Sequence, residues 1–365
     1  MDNIRSLAGL LNQDCACFSL DVDALRQALH ADSVLAEWWP HWQDTHAHLF
    51  SNNGLFISRA QLQAMQQAVQ VLHDTMTSPA WQAHALTHSP ELARMARGPQ
   101  GVFMGYDFHL TESGPRLIEV NTNAGGAMLS LAAARAQRAC CDAARDWMHS
   151  PTGLEGLEQR WLDMFAREWA AQRPTEPFVP TQGPVRTLAI VDEDPQGQYL
   201  YPEFLLFQDL FRHAGIDAVI AAPQDLHLAN GQLQYEGRCI DMVYLRLTDF
   251  DLGRPEHAHL HQAWASGACV FTPGPQTHAL HANKRHLVAL SDPDFLHRIG
   301  VPDASRAVLA QVVPPTLLLT PQSPITIAEH FEPRPPYQAA RDLVPVAAVV
   351  TSPVVILGNA DGPAD

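Results

Sequence analysis

From Val185 onward, strand-length apolar runs alternate with helix-length stretches, and this alternation limits the fold more than any other feature of the 365-residue chain. "VRTLAIVDE" reads as a buried strand and "PEFLLFQDLFRHAG" as a helix. There follow "DAVIAA", a turn-rich piece, the strand "CIDMVYLRL", a helix in 255–266, the strand "ACVFT" and a helix beginning at Ala282. Continuously apolar strands separated by helices predict a parallel, doubly wound α/β sheet. Such sheets bind ligands beyond the C-terminal ends of their strands. Those ends hold Asp192, Glu193 and Asp194, then Arg246, Thr248 and Asp249. Loop solvation and helix capping are the other reading of these residues.

The first half reads differently. "GYDFHLTESGPRLIEVNTNAGG", residues 105–126, holds two apolar runs joined by a turn. Residues 102–110 and 116–121 are predicted as strands, with Thr111 to Pro115 as the turn. A hairpin centred on Ser113 sets Asp107 opposite Glu119. Side-chain alternation then puts Asp107, Glu119 and Asn121 on one face, and Tyr106, Phe108, Ile118 and Val120 on the other. Two carboxylates facing each other on a sheet repel. A hard divalent cation would remove that repulsion, and Mg²⁺ prefers a few carboxylate and amide oxygens plus phosphate. A solvated hairpin face with two unrelated acids is the alternative, and a one-residue slip would separate the pair.

Around the hairpin, residues 58–74 read as an amphipathic helix. Ser58 and Gln61 form its capping box, and Leu62, Met65, Val69 and Leu72 form its apolar stripe. Residues 127–147 and 154–169 read as further helices, the second with Leu157, Trp161, Phe165 and Trp169 on one side. Residues 172–184, rich in proline and polar side chains, read as a linker. The expected organisation is therefore an α+β unit in 1–171, an α/β unit in 185–316, and an irregular, proline-crowded tail in 317–365.

The formal charge of −16 argues against nucleic acid or an anionic membrane as main partner. No stretch approaches 18 uninterrupted apolar residues, and the N-terminus lacks a basic region followed by an apolar run, so a cytoplasmic protein is expected. The six cysteines, Cys15, Cys17, Cys140, Cys141, Cys239 and Cys269, are expected to be reduced. Among the 19 histidines, His46/His48 and His257/His259/His261 fall at spacings of two, which do not share a helix face, and they read as surface residues. No G-x-G-x-x-G follows "LAIVDE", which weakens a dinucleotide-binding oxidoreductase reading.

"YDFHLTESGPRLIEVNTNAGG" resembles the metal-binding hairpin of ATP-grasp ligases: an acid in one strand, E-x-N in the next, then a small-residue loop. The match falls on Asp107, Glu119 and Asn121, which the resemblance implies hold Mg²⁺ (or Mn²⁺) against ATP phosphates. Asn123, Gly125 and Gly126 would then approach the substrate, and Arg246 is a candidate for a substrate carboxylate or phosphate contact, with an ion pair to Asp249 or Asp241 as its bland reading. Residues 185–316, with "ANKRHLVALSDPDFLHRIGVP" and "VVPPT", resemble the Rossmann-like pre-ATP-grasp domain. That domain follows the metal hairpin here, the order of circularly permuted ATP-grasp proteins related to glutathionylspermidine synthetase. The implied activity is ATP-dependent joining of a carboxylate to an amine. The family's nucleotide-binding half, with its "KP"-like strand, glycine-rich loop and second lysine, should follow Thr316. Residues 317–365 contain no lysine, and the chain's one lysine is Lys284, read as a solvated helix-start residue. A frameshift or truncation is the expected origin of such an ending, and no ATP turnover by this chain is expected.

Overall fold

A computed structural model of the chain describes residues 11–12, 18–30, 49–51, 54–111, 113–139, 154–181 and 186–318, together with strand residues 344–345 and 354–357. Its largest sheet has four strands in the order Val270–Thr272, Met242–Leu245, Thr187–Val191 and Asp217–Ala221, every neighbouring pair parallel. Thr187–Val191 and Met242–Leu245 are buried at every position, because both faces of the sheet are covered and neither tolerates a polar alternation. Leu188, Ile190, Met242 and Tyr244 face a core built with Phe204, Phe207 and Phe211 of helix Tyr201–His213. Ala189, Val191, Val243 and Leu245 face the other way, against Leu260 and Trp264 of helix Ala258–Ser266. The α/β architecture is thus the one the alternation predicts. The turn-rich piece between "DAVIAA" and "CIDMVYLRL" is a small antiparallel sheet of its own, Leu226–Ala229, Gln232–Tyr235 and Arg238–Cys239. The helix expected from Ala282 is displaced: Ala282 caps the C-terminus of helix Pro275–His281, and the chain turns before helix His286–Leu290.

The hairpin, Gly105–Thr111 with Gly114–Asn121, belongs to a separate sheet, where Val344–Pro345 pairs antiparallel with the first strand. Leu55–Ser58 pairs in parallel with Val354–Leu357. These two segments are the described strands of the stretch expected to be irregular. Phe108, Leu117 and Val120 of the hairpin pack with Met65, Ala68, Leu72 and Met76 of helix Arg59–Met76. The far side of that core comes from Leu290, Leu296, Leu309 and Val312, so segments from both halves of the sequence share it. The Ser58–Gln61 capping box forms as expected. Helix Leu157–Gln172 sends Phe165 and Trp169 into the core against the parallel sheet. The helix expected over 127–147 is Ala127–Arg135, after which Gln137–Ala139 pairs with Phe18–Leu20; residues 140–147 lie outside the described residues. Among the described residues, no helix is long and apolar enough to cross a membrane. Cys239 and Cys269 carry free thiols, and the other four cysteines lie outside the described residues.

Candidate cation and ligand site

The hairpin register decides whether the two acids meet. From the turn, Thr111 pairs with Gly114, Leu110 with Pro115, His109 with Arg116 and Phe108 with Leu117. Continued regularly, that ladder would set Asp107 against Ile118. The register instead shifts between Asp107 and Phe108, leaving Ile118 as an extra residue, and Asp107 pairs with Glu119. A bulge of this kind bends the strand and re-aims the side chains beyond it. It also corrects one expectation. Leu117 and Val120 enter the core at 1% and 5% exposure, whereas Ile118, expected there, is half-buried and outside it.

Asn121 joins the pair: its Nδ2 lies 3.2 Å from Glu119 Oε1 and 3.4 Å from Asp107 Oδ2. Lys284 Nζ lies 2.7 Å from Glu119 Oε2, so the chain's single lysine, read from sequence as solvated, sits on this cluster while remaining 73% exposed. The two carboxyls are held apart in acidity. Burial, then the charge of Glu119, raises the Asp107 pKa above the ordinary carboxylate range. Hydrogen bonds from Lys284 and Asn121 lower that of Glu119. The ammonium therefore offsets one carboxylate and leaves the other short of counter-charge. Among the described residues, no group of three or more His, Cys, Asp or Glu could enclose a metal. Two carboxylates and one amide, all hard oxygen donors once the Asn121 amide is turned, suit an open Mg²⁺ or Mn²⁺ site completed by water or phosphate.

The loop that follows the hairpin is fastened to the α/β sheet. Thr122, fully buried, hydrogen-bonds His278 Nδ1 through its hydroxyl. Asn123 Nδ2 donates to the carbonyls of Arg246 and Leu247 at 3.3 and 3.2 Å. Arg246, 7% exposed, donates through Nη1 to the carbonyls of Asn123 at 2.7 Å and Ala124 at 3.0 Å. Gly126, at φ 95°, donates its N–H to Glu203 Oε2 at 2.6 Å, and Met128 N–H donates to Oε1 at 3.1 Å. Glu203 thereby caps helix Ala127–Arg135, whose own N-cap glycine has no side chain to do so. A Cβ on Gly125 would lie 2.5 Å from both Arg246 Nη2 and Leu200 Cδ1 and 3.1 Å from Glu203 Oε2, so any larger residue would push these side chains aside.

Burial raises the Glu203 pKa, opposed by Arg246 and the loop amides. Burial opposes the charge of Arg246, yet Tyr244, Glu203 and Asp192 outweigh it and hold its pKa above the ordinary value. At the strand end beside them, burial pushes Asp192 up to about 6. The structure thus brings Asn123, Gly125, Gly126 and Arg246 together, but the Arg246 hydrogen bonds run to the loop and to Tyr244. Neither bland partner takes the guanidinium: Asp249 holds His257 at 2.7 Å, and Asp241 accepts from Thr187 N–H at 3.0 Å.

Sequence reasoning missed Glu203 and several histidines. His257, expected at the surface, is 1% exposed, because Asp249 holds its Nδ1 beneath the loop. His278, His281 and His286 are also buried, at 3%, 5% and 6% exposure. His46 and His48 lie outside the described residues. The only available signal was weak: Glu203, a single acid in "PEFLLFQDLF", falls on the apolar side of its helix.

No family model and no curated protein matches the chain. Among solved structures, it is similar to a glutathione synthetase-like effector from Globodera pallida in its apo form, at 12% sequence identity and a TM-score of 0.47. That similarity covers 72% of this chain and 62% of the other, so this chain spans less than two thirds of that protein's length.

Proposed function

We infer that this chain carries the metal- and acceptor-facing part of an ATP-grasp-type carboxylate–amine ligase. One observation carries the reading: Asp107 faces Glu119 across a bulged hairpin, with Asn121 beside both. Carboxylates acylate amines poorly because oxide is a poor leaving group; phosphorylation by ATP supplies a better one. A bound Mg²⁺ would neutralise phosphate charge at these three side chains. The protein's own part is positioning. The bulge aims the carboxylates, Lys284 offsets Glu119, and Arg246 with Glu203 fixes the loop of Asn123, Gly125 and Gly126 where substrate would approach.

A second reading is a non-catalytic protein that keeps the cation site. It is favoured by the sequence's one lysine being engaged with Glu119, which leaves no lysine in the chain free for a nucleotide's phosphates. Missing fixed cations around a phosphoryl group cost on the order of 10³-fold or more in rate. Calorimetric titration with Mg²⁺, alone and with ATP, tests both. Glu119→Gln should abolish the Mg²⁺ response and leave the fold intact; an unchanged response would remove the cation site. ATP binding that needs Mg²⁺ supports the ligase reading, and Mg²⁺ binding without ATP binding supports the second.

A further inference from the structure

Beside the 282–286 turn lies a half-open cavity of about 280 Å³. Asp107, Glu119 and Asn121 do not line it, and it meets the loop after the hairpin at His278, which bonds Thr122. Its inner wall is uncharged. Ala85, Ala279 and Ala282 supply methyl groups, and His278 and His286 supply imidazoles that are 3% and 6% exposed. Burial lowers the His278 pKa to about 3 and also lowers that of His286, so both rings are neutral at pH 7. Phe250 stacks on His278, with ring centroids 4.0 Å apart and planes 16° from parallel, which makes that wall flat and rigid. His278 Nδ1 is taken by Thr122, while its Nε2 has no hydrogen-bond partner among the described residues. A buried polar nitrogen in that state is costly unless something fills it.

The rim contrasts with the wall. Arg285 and Asp251 are exposed and line the same cavity. Among the described residues, neither the guanidinium nor the carboxylate makes a hydrogen bond or an ion pair. Two unpaired, opposite charges over a neutral, partly apolar chamber match a ligand that carries both charges on a small apolar body. The volume lies just under the range of about 300–1,000 Å³ that holds drug-sized ligands, so the ligand is small.

We propose that this cavity binds a zwitterion of amino-acid or dipeptide size, its carboxylate at Arg285, its ammonium at Asp251 and its apolar side chain against Ala85 and Ala282. The proposal stands on the cavity alone and does not depend on the ligase reading.

The test is calorimetric titration of the full chain with glycyl-leucine, its N-acetyl form and its C-terminal amide. Saturable binding of the free dipeptide is expected. Amidation or Arg285→Gln should each weaken it by about tenfold or more, and combining the two should add little further, because both remove the same contact. Acetylation and Asp251→Asn should behave as a second such pair. Both variants lie at the surface and should keep the wild-type melting temperature and Mg²⁺ response, which separates failure here from failure of the cation site. Equal binding of the blocked dipeptides, or no binding of the free dipeptide at about 10 mM, far weaker than ordinary ligand affinities, would overturn the proposal.

Discussion

Breaking the Arg246–Glu203 clamp should cost most of the stability the protein can spare. Glu203 is 1% exposed and its two oxygens accept the N–H groups of Gly126 and Met128. Arg246 is 7% exposed and spans two loop carbonyls through one nitrogen. Glu203→Leu would orphan two amides at a helix N-terminus and leave the guanidinium short of counter-charge in a buried setting. The two charges act on each other across the loop without a direct ion pair, and leaving one of them buried and uncompensated costs up to about 3–5 kcal/mol, against a typical total of about 5–15. Arg246→Met should cost a similar amount, since it strands Glu203 and the carbonyls of Asn123 and Ala124. The double variant still orphans the two amides and the two carbonyls, but it leaves no buried charge uncompensated, so it should cost less than the two single losses together. The two single losses should therefore overshoot the double loss by about 2 kcal/mol or more. Urea denaturation followed by tryptophan fluorescence, run on all four proteins, measures this directly. Additivity within about 0.5 kcal/mol would refute the clamp, because independent sites behave that way.

Two further outcomes follow from the charges. Asp107→Asn should stabilise the metal-free protein at pH 7 by a few tenths of a kcal/mol to about 1, the scale of a cross-strand charge pair, while abolishing stabilisation by Mg²⁺ in a thermal-shift series. The raised Asp107 pKa makes the wild-type carboxyl costlier as pH rises through it, so the gap between the two proteins should close in acid; a gap independent of pH would contradict this. His278 and His281, lowered by burial to about 3 and about 4, stay neutral in the fold while the unfolded chain titrates near 6.5. Their contribution is complete above pH 6.5 and lost as pH falls towards 4, at about 1.4 kcal/mol per pH unit for each. His278→Gln should flatten that decline by one histidine's share in denaturation curves between pH 4 and 6, and an unchanged slope would show that the imidazole titrates normally.

What could be read beforehand followed the range of the forces involved. The parallel sheet was legible because strands buried on both faces leave an unbroken apolar run, as in Thr187–Val191. The capping box at Ser58 was legible because it is local. The meeting of Asp107 and Glu119 was inferred from a turn centred on Ser113, yet the real ladder pairs Thr111 with Gly114 and needs the extra residue Ile118 to restore the match. An isoleucine suits a regular strand as well as a bulge, so nothing in its identity signals the shift. Glu203 was missed because its burial depends on a loop more than 70 residues away in sequence landing on it. The histidines were misjudged for a related reason. Spacing describes one helix face, whereas His257 and His278 are buried by Asp249, Phe250 and Thr122 arriving from other segments.

The isolation of Lys284 gives the molecule a built-in chemical address. A sequence with one lysine offers amine-reactive reagents a single side-chain target, and this one is 73% exposed while resting on Glu119. A fluorophore coupled there would sit close to the paired carboxylates, and its emission would change as a cation bound beside it. The same geometry makes acylation rates at Lys284 a footprint of the site: an ammonium released from Glu119 reacts differently from one held against it. Mass spectrometry of the labelled chain could then follow occupancy of the hairpin without any substrate being known.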